Sequence, residues 1–416
     1  HLEDFIMASV EQNKKKEDLE NYLKEKFLSD GEVIDEIKIE DRDTNKKEKR
    51  EMKKLGFGLM RLPKINGEID IEQVKIMADA FLSNGFTYFD TAYVYENSEV
   101  AFKEAVVKRY NRSDYYIADK LTAWKLKEGS DKEEIFKESL DRLGIEYIDY
   151  YLLHAVQEAN IEIYNENDCW NFCQELKKKG LIKHFGFSFH GSPALLENIL
   201  ANHPEVEFVQ LQINYLDWDN AIIASRHNYE ICRRYHKNII VMEPVKGGIL
   251  ANFDDDIAKL FEQYHQTNSF SSLALRYAGS LDGVIMVLSG MSNKEQVEDN
   301  INTFKDFVKL GDEEYELISK IKTKLIKKSS IGCTNCKYCV SECRKNILIP
   351  YIFKIYNQSI IMGINNKYKE MYKNLINTTK SGQANTCIKC HRCEKVCPQH
   401  LKVTDELAKA SNYLDR

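Results

Sequence analysis

From Leu55 onward, short apolar runs rich in β-branched and aromatic residues alternate with longer stretches whose apolar positions recur every three to four residues. The short runs fall at 55–60, 86–90, 115–120, 147–154, 182–189, 208–214, 238–242 and 284–289, and predict strands. Helical patterns lie between them at 71–82, 99–110, 132–143, 168–179, 221–235 and 294–304. Repeated βα units of this number match an α/β fold in which eight parallel strands close into a (β/α)8 TIM-type barrel. An open doubly wound sheet is the alternative. It is disfavoured because no G-x-G-x-x-G follows a strand.

The flanks have a different texture. Residues 1–51 are dominated by charge; Leu19, Tyr22, Leu23 and Phe27 give one weak helical stripe, and Val33, Ile34, Ile37 and Ile39 a short strand. Neither buries much, so a charged, poorly ordered extension is expected. Beyond 310, helical patterns return on both sides of 333–343, which predicts a small helical domain. The expected division is 1–51, 52–310 and 311–416. A Lys-rich flank (Lys320, Lys322, Lys324, Lys327, Lys328) reads as a solvated helix face, or as a surface that offsets cluster charge or docks an acidic electron carrier.

The 416 residues are 43% hydrophobic, enough for a substantial core, and the net charge of -6 mixes both signs. Nucleic acid is not an expected partner. No apolar run approaches membrane-spanning length, and no secretory segment is evident, so a cytoplasmic location is the default expectation.

Eight of the eleven cysteines form two runs, Cys333-Cys336-Cys339-Cys343 and Cys387-Cys390-Cys393-Cys397, each spaced C-x2-C-x2-C-x3-C. Three thiolates at every third residue can wrap one face of a cubane cluster, while the fourth ligates the neighbouring cluster. Two 4Fe-4S clusters are therefore expected. Crossed ligation gives one cluster Cys333, Cys336, Cys339 and Cys397, and the other Cys387, Cys390, Cys393 and Cys343. Structural zinc is the alternative, although three cysteines crowded on one turn suit it less than two separated pairs. A disulfide framework is disfavoured in so long a chain. The remaining cysteines, Cys169, Cys173 and Cys232, fall on predicted helices and read as core thiols.

In a barrel of this kind, reactive groups gather at the C-terminal ends of the strands. There the chain places Asp90, Tyr95 in the following loop, Lys120 and His154: an acid, a phenol, an amine and an imidazole, which together suit proton transfer. A phenol ionises near pH ~10 and becomes a usable acid when a cation favours phenolate, a role open to Lys120 held by Asp90.

These residues resemble the aldo/keto reductase superfamily, in its branch with a C-terminal ferredoxin-type domain. The resemblance covers about 52–410. It rests on Phe89-Asp90-Thr91-Ala92 with Tyr95 and Ser98-Glu99, on Ala118-Asp119-Lys120, on Leu152-Leu153-His154, on Gly186-Phe187-Ser188, on Gln210 to Tyr215, and on Ser289-Gly290-Met291. It implies NAD(P)H-linked reduction of a small-molecule carbonyl, with Tyr95 as general acid, Lys120 and Asp90 tuning it, and His154 orienting the carbonyl oxygen. It also implies that Ser188 and Gln212 grip the nicotinamide amide. Pro244, Lys246, Gly247, Gly248, Gly290, Ser292, Gln296 and Asn300 would surround the phosphates and adenosine. Phe189 stands where many relatives have Asn, Met242 where an aromatic ring commonly stacks under nicotinamide, and Ser292 where a basic residue often meets the 2′-phosphate, so NADP and NAD both stay open.

Nicotinamide moves two electrons as hydride, whereas each cluster moves one, so direct exchange needs a mediator such as a flavin, for which no motif is present. Three readings follow: an iron-sulfur carbonyl reductase with structural or electron-supplying clusters, a ferredoxin-like electron-transfer protein using the barrel as a scaffold, or a redox sensor. A ferredoxin or flavodoxin partner fits the first two.

Overall fold

Successive side chains along a strand point to opposite faces, and in this protein that alternation closes a barrel. The computed structural model describes residues 52–220, 223–253, 255–264, 266, 268–327, 331–361 and 366–415. The expected extension at 1–51 lies outside the described residues. The strands are β1 (Leu55–Gly58), β2 (Lys64–Ile65), β3 (Glu68–Ile69), β4 (Tyr88–Asp90), β5 (Tyr116–Thr122), β6 (Ile148–Val156), β7 (Ile182–Phe189), β8 (Phe208–Gln212), β9 (Asn238–Met242) and β10 (Val284–Gly290). All but β2 and β3 form a closed barrel in the order β1-β10-β9-β8-β7-β6-β5-β4, and every neighbouring pair is parallel. The strands β2 and β3 form an antiparallel hairpin outside it.

Inward positions of one parity fill the lower barrel with Tyr88, Ala118, Tyr150, Leu152, Phe208, Ile240, Met286 and Leu288. Gly186 makes room for Phe208, because a Cβ there would meet the Phe208 carbonyl oxygen at 2.4 Å. One or two steps further along the same parity, the inward residues become Asp90, Lys120, His154, Ser188 and Gln212, all buried at the mouth. Outward positions such as Phe89, Leu121, Leu153, Val209 and Val241 join the surrounding helices in the main hydrophobic core.

The expected 71–82, 132–143 and 294–304 helices occur as Ile71–Ser83, Lys132–Leu143 and Lys294–Lys305, whereas 99–110 divides into an α-helix, Ser98–Phe102, and a π-helical turn, Lys103–Val107. Helix Pro193–Asn202 was not expected from the pattern; its start is set by Pro193 and by Ser192, whose side chain accepts from the Leu195 N–H.

Beyond residue 310, helix Asp312–Lys327 buries Leu317, Ile318, Ile321 and Leu325 in the barrel's own core, so it packs as part of the barrel rather than of the C-terminal unit. Arg276 clamps Glu314 in its first turn. Two of its lysines form ion pairs, Lys322 with Asp219 at 2.8 Å and Lys320 with Glu316 at 2.9 Å. The C-terminal unit has a core of its own, in which helices Ile349–Ile361, Asn366–Thr379 and Val403–Leu414 bury Ile352, Phe353, Tyr372 and Leu407 around the cysteine loops. No described helix is long and apolar enough to cross a membrane.

Candidate active site at the mouth of the barrel

Strand parity brings the four rim residues together. Lys120 Nζ lies 2.6 Å from Asp90 Oδ1 and also donates to the Thr91 carbonyl, with the lysine side chain 1% and the aspartate 6% exposed. The other carboxylate oxygen of Asp90 accepts from Gln210 Nε2 at 3.0 Å. Asp90 therefore has both oxygens engaged, which offsets the cost of placing a charge pair out of water. Lys120 Nζ sits over the Tyr95 ring, 5.0 Å from its centroid, and the His154 ring is 5.7 Å from that of Tyr95.

Lys120 was expected to favour the phenolate, but the surroundings act in the other direction. Burial first, then the Asp90 and Glu243 carboxylates, push the Tyr95 phenol well above its ordinary value of 10.0. The resting group is a protonated phenol. Burial, followed by the Lys120 ammonium and His190, holds His154 well below its ordinary 6.5, so its imidazole is neutral at physiological pH. Its Nδ1 lies 3.3 Å from Thr122 Oγ1. The neighbouring Asp119 points out of the barrel, where burial and then Glu99 push its carboxyl well above the usual range.

The cysteine runs fold as two matching loops. Asn335 and Lys337 flank Cys336 with φ of 59° and 70°, and Lys389 and His391 flank Cys390 with φ of 52° and 57°. Such left-handed backbone is uncommon outside glycine and here curls each loop around its sulfurs. Cys397 is the electrostatic neighbour of Cys333, Cys336 and Cys339. Cys343 lines a small enclosed pocket with Cys387, Cys390 and Cys393. Backbone N–H groups of Asn335 and Ile347 point at Cys333 and Cys343 Sγ, each at 3.4 Å. Burial pushes the Cys333 thiol up to about 11 and that of Cys336 to about 12. Thiolates in such surroundings need a metal's positive charge, and two sets of four gathered thiols fit iron-sulfur clusters. Among the described residues, no group of three or more His, Cys, Asp or Glu side chains converges on a single-ion site.

The cysteine loops sit on the barrel mouth. Arg61 donates to the Thr334 carbonyl, and a Cβ on Gly247 (φ 64°) would meet Thr334 backbone atoms at 3.1 Å. His400 Nε2 donates to the His190 carbonyl at 2.6 Å. Tyr338, between Cys336 and Cys339, reaches down to place its hydroxyl 3.4 Å from His154 Nε2. Gln399 enters beside it, and its carboxamide pairs reciprocally with that of Gln212, both hydrogen bonds measuring 2.6 Å.

Between the two units runs a cleft of ≈ 1180 Å³. Gly247, Gly248, Gly290, Ser292, Gln296 and Asn300 line it, together with Tyr95, Trp124, Tyr338, Cys333 and Cys336. The other expected cofactor residues do not face it. Ser188 Oγ accepts from the Ala155 N–H at 2.7 Å, and Gln212 Nε2 donates to Asp217 as well as to Gln399. Lys246 is buried 2.5 Å from Asp217 Oδ1, and Pro244 is buried. Asn300 Nδ2 donates to Ser289 Oγ, and Ser292 Oγ to the Arg61 carbonyl. Tyr338, Gln399, Trp124, Gln210 and Asp217 were missed in the sequence. Only Gln210 carried a local signal, the inward parity it shares with Gln212.

A family model for the aldo/keto reductase family matches residues 54–323, and one for a 4Fe-4S dicluster domain matches 332–402. A methylglyoxal reductase from Yersinia pestis is 24% identical over 275 residues, which span 65% of this chain and 90% of that protein. An aldo-keto reductase from Bacillus halodurans, solved in a holo form, superimposes with a TM-score of 0.52 at 24% identity over 64% of this chain and 91% of its own. One from Klebsiella pneumoniae, solved in complex with NADPH, gives 0.53 at 17% identity over 65% and 91%. At these identities the solved structures speak to the fold.

Proposed function

Since the chain belongs to the aldo/keto reductase family and carries a 4Fe-4S dicluster domain, we propose that this oxidoreductase reduces the carbonyl of a small molecule in the cleft, with Tyr95 as proton donor. The observation that carries the proposal is the shared wall: Tyr95 and the cluster cysteines Cys333 and Cys336 line one cavity.

The chain's own groups account for the proton. Tyr95 is held protonated by its surroundings, so a proton is available where the substrate oxygen gains charge. Once it leaves, the Lys120 ammonium, 5.0 Å from the ring centroid, stabilises the phenolate. Asp90 and Gln210 fix that lysine, and the neutral His154 offers its ring as a hydrogen-bonding partner for the substrate oxygen. When bound, the clusters would supply electrons singly, and two electrons, the Tyr95 proton and a second proton from water turn a carbonyl into an alcohol.

For a nicotinamide cofactor the residues fit at one end only. Gly247, Gly248, Gly290, Ser292, Gln296 and Asn300, expected around its phosphates and adenosine, face the cleft, and the Klebsiella relative is described with NADPH. With Gln399 in place, however, both Gln212 amide protons are committed, to Asp217 and to Gln399, and its Oε1 already accepts from Gln399. In this arrangement the reduction draws on a one-electron source, such as a ferredoxin or flavodoxin. The same Gln399 contact favours a second reading, in which the chain is an electron-transfer protein and the barrel a scaffold.

The test is anaerobic turnover of methylglyoxal, the carbonyl named for the Yersinia relative, with dithionite-reduced methyl viologen as donor. Tyr95→Phe should lower the rate by about 10²-fold or more, the usual contribution of a positioned acid. An unchanged rate would remove Tyr95 from the mechanism. Cluster reduction without carbonyl reduction in the parent protein would favour the electron-transfer reading.

A further inference from the structure

The barrel's four rim residues come from its own strands and loops, yet one wall of their cavity is built by the cysteine domain. Tyr338 follows Cys336 by two residues and precedes Cys339, and its hydroxyl lies 3.4 Å from His154 Nε2. Its ring packs edge-on against Trp124, with centroids 5.3 Å apart, and Trp124 in turn lies 5.4 Å from His154. Tyr95, Trp124 and Tyr338 all line the cleft.

We propose that Tyr338 is a catalytic-site residue supplied by the iron-sulfur domain, whose hydroxyl donates to the same substrate oxygen that Tyr95 protonates. This rests on the carbonyl-reductase reading above. The geometry argues for it in two ways. A carbonyl oxygen that reaches His154 must approach the hydroxyl 3.4 Å from that ring's Nε2, and that long contact leaves the Tyr338 hydroxyl able to donate to it at a shorter distance. A fixed donor aimed at the oxygen where charge develops stabilises it without reorganising, and packing against Trp124 holds the Tyr338 ring in place. Docking of the cluster domain then completes the site, so a barrel with its domain displaced would hold the four rim residues and still react slowly.

The experiment uses the anaerobically purified full chain. Tyr338→Phe should retain its iron, lower kcat for methylglyoxal by roughly 10²- to 10³-fold with KM little changed, and weaken acetate binding by about 10-fold or more. Acetate presents an oxygen without being reduced, and its binding is read from Trp124 fluorescence. Of the three tryptophans Trp124 alone lines the cleft. Tyr338→His keeps a ring with an N–H donor and should recover about tenfold of the lost rate. Unchanged kcat and acetate affinity in Tyr338→Phe, equal losses in both variants, or loss of iron from both would overturn the proposal; the last would make Tyr338 a structural part of its loop. If Tyr95→Phe lowers turnover as predicted while Tyr338→Phe leaves it unchanged, this inference fails and the general reading stands. Full activity in Tyr95→Phe removes that reading itself.

Discussion

Replacing Gln399 with alanine should make NADPH bind more tightly, although no residue is added. Gln212 Nε2 donates to Asp217 Oδ2 at 2.8 Å and to Gln399 Oε1 at 2.6 Å, while its Oε1 accepts from Gln399 Nε2 at 2.6 Å. A nicotinamide carboxamide that takes the place of Gln399 against Gln212 displaces both of these bonds. Each intramolecular hydrogen bond contributes about 0.5–1.5 kcal/mol net, so the pair opposes the cofactor by about 1–3 kcal/mol. At about 1.4 kcal/mol per tenfold in affinity, Gln399→Ala should tighten NADPH binding by roughly 5- to 150-fold. The assay is anaerobic calorimetric titration of parent and variant, with iron measured in both. Equal affinities, or weaker binding by the variant, would refute the claim that Gln399 holds the position of the cofactor amide.

Other consequences follow from the same geometry. Asp90→Asn leaves the Lys120 ammonium, 1% exposed, without its counter-charge and should cost about 3–5 kcal/mol of stability, read from the urea midpoint at constant slope. Adding Lys120→Met should recover most of that loss, because both charges are then gone; a double variant as unstable as the sum of the singles would contradict the pairing. The depressed pKa of His154 means that the unfolded chain binds more protons below about pH 6.5. Its contribution is present above that value and is lost as pH falls toward the lower folded value, with a limiting slope of roughly 1.4 kcal/mol per pH unit; His190, held near a pKa of about 3, acts in the same direction. Stability that does not fall between pH 7 and 5 would show that these rings titrate freely. Crossed ligation predicts that Cys397→Ser exposes Cys333, Cys336 and Cys339 to iodoacetamide while Cys387, Cys390 and Cys393 stay protected. Exposure of the second run instead would mean that each run holds its own cluster.

The barrel was legible because its strands carry two signals at once. Lys120 and His154 stood out as polar residues at the ends of apolar runs, and apolar neighbours such as Leu121 and Leu153 pack on the helices' side. The matching cysteine runs were equally readable, since C-x2-C-x2-C-x3-C leaves little freedom in how the loop turns. The two-residue strands β2 and β3 are too short to show a period. Helix Asp312–Lys327, expected beyond the 310 boundary, buries its apolar stripe in the barrel's core, because that stripe reports amphipathicity and not which core it meets. The composite nature of the site was invisible for a deeper reason. Tyr338 and Gln399 act through the docking of one unit on another, across sequence separations of 184 and 187 residues from His154 and Gln212. No local pattern encodes such a contact. The sequence put the Lys120 cation near Tyr95, while burial and then the Asp90 and Glu243 carboxylates, which no local pattern reveals, raise the phenol's pKa.

The central claim is that the barrel rim and the cysteine domain form one reaction site. Anaerobic stopped-flow tests it most directly, using dithionite-reduced protein freed of excess reductant and mixed with methylglyoxal while cluster absorbance is followed. The account predicts that the parent protein's clusters reoxidise as carbonyl is consumed, and that Tyr95→Phe, reduced to the same extent, reoxidises at least about 10²-fold more slowly. Clusters that stay reduced in the parent protein, or reoxidise equally fast in both, would contradict it.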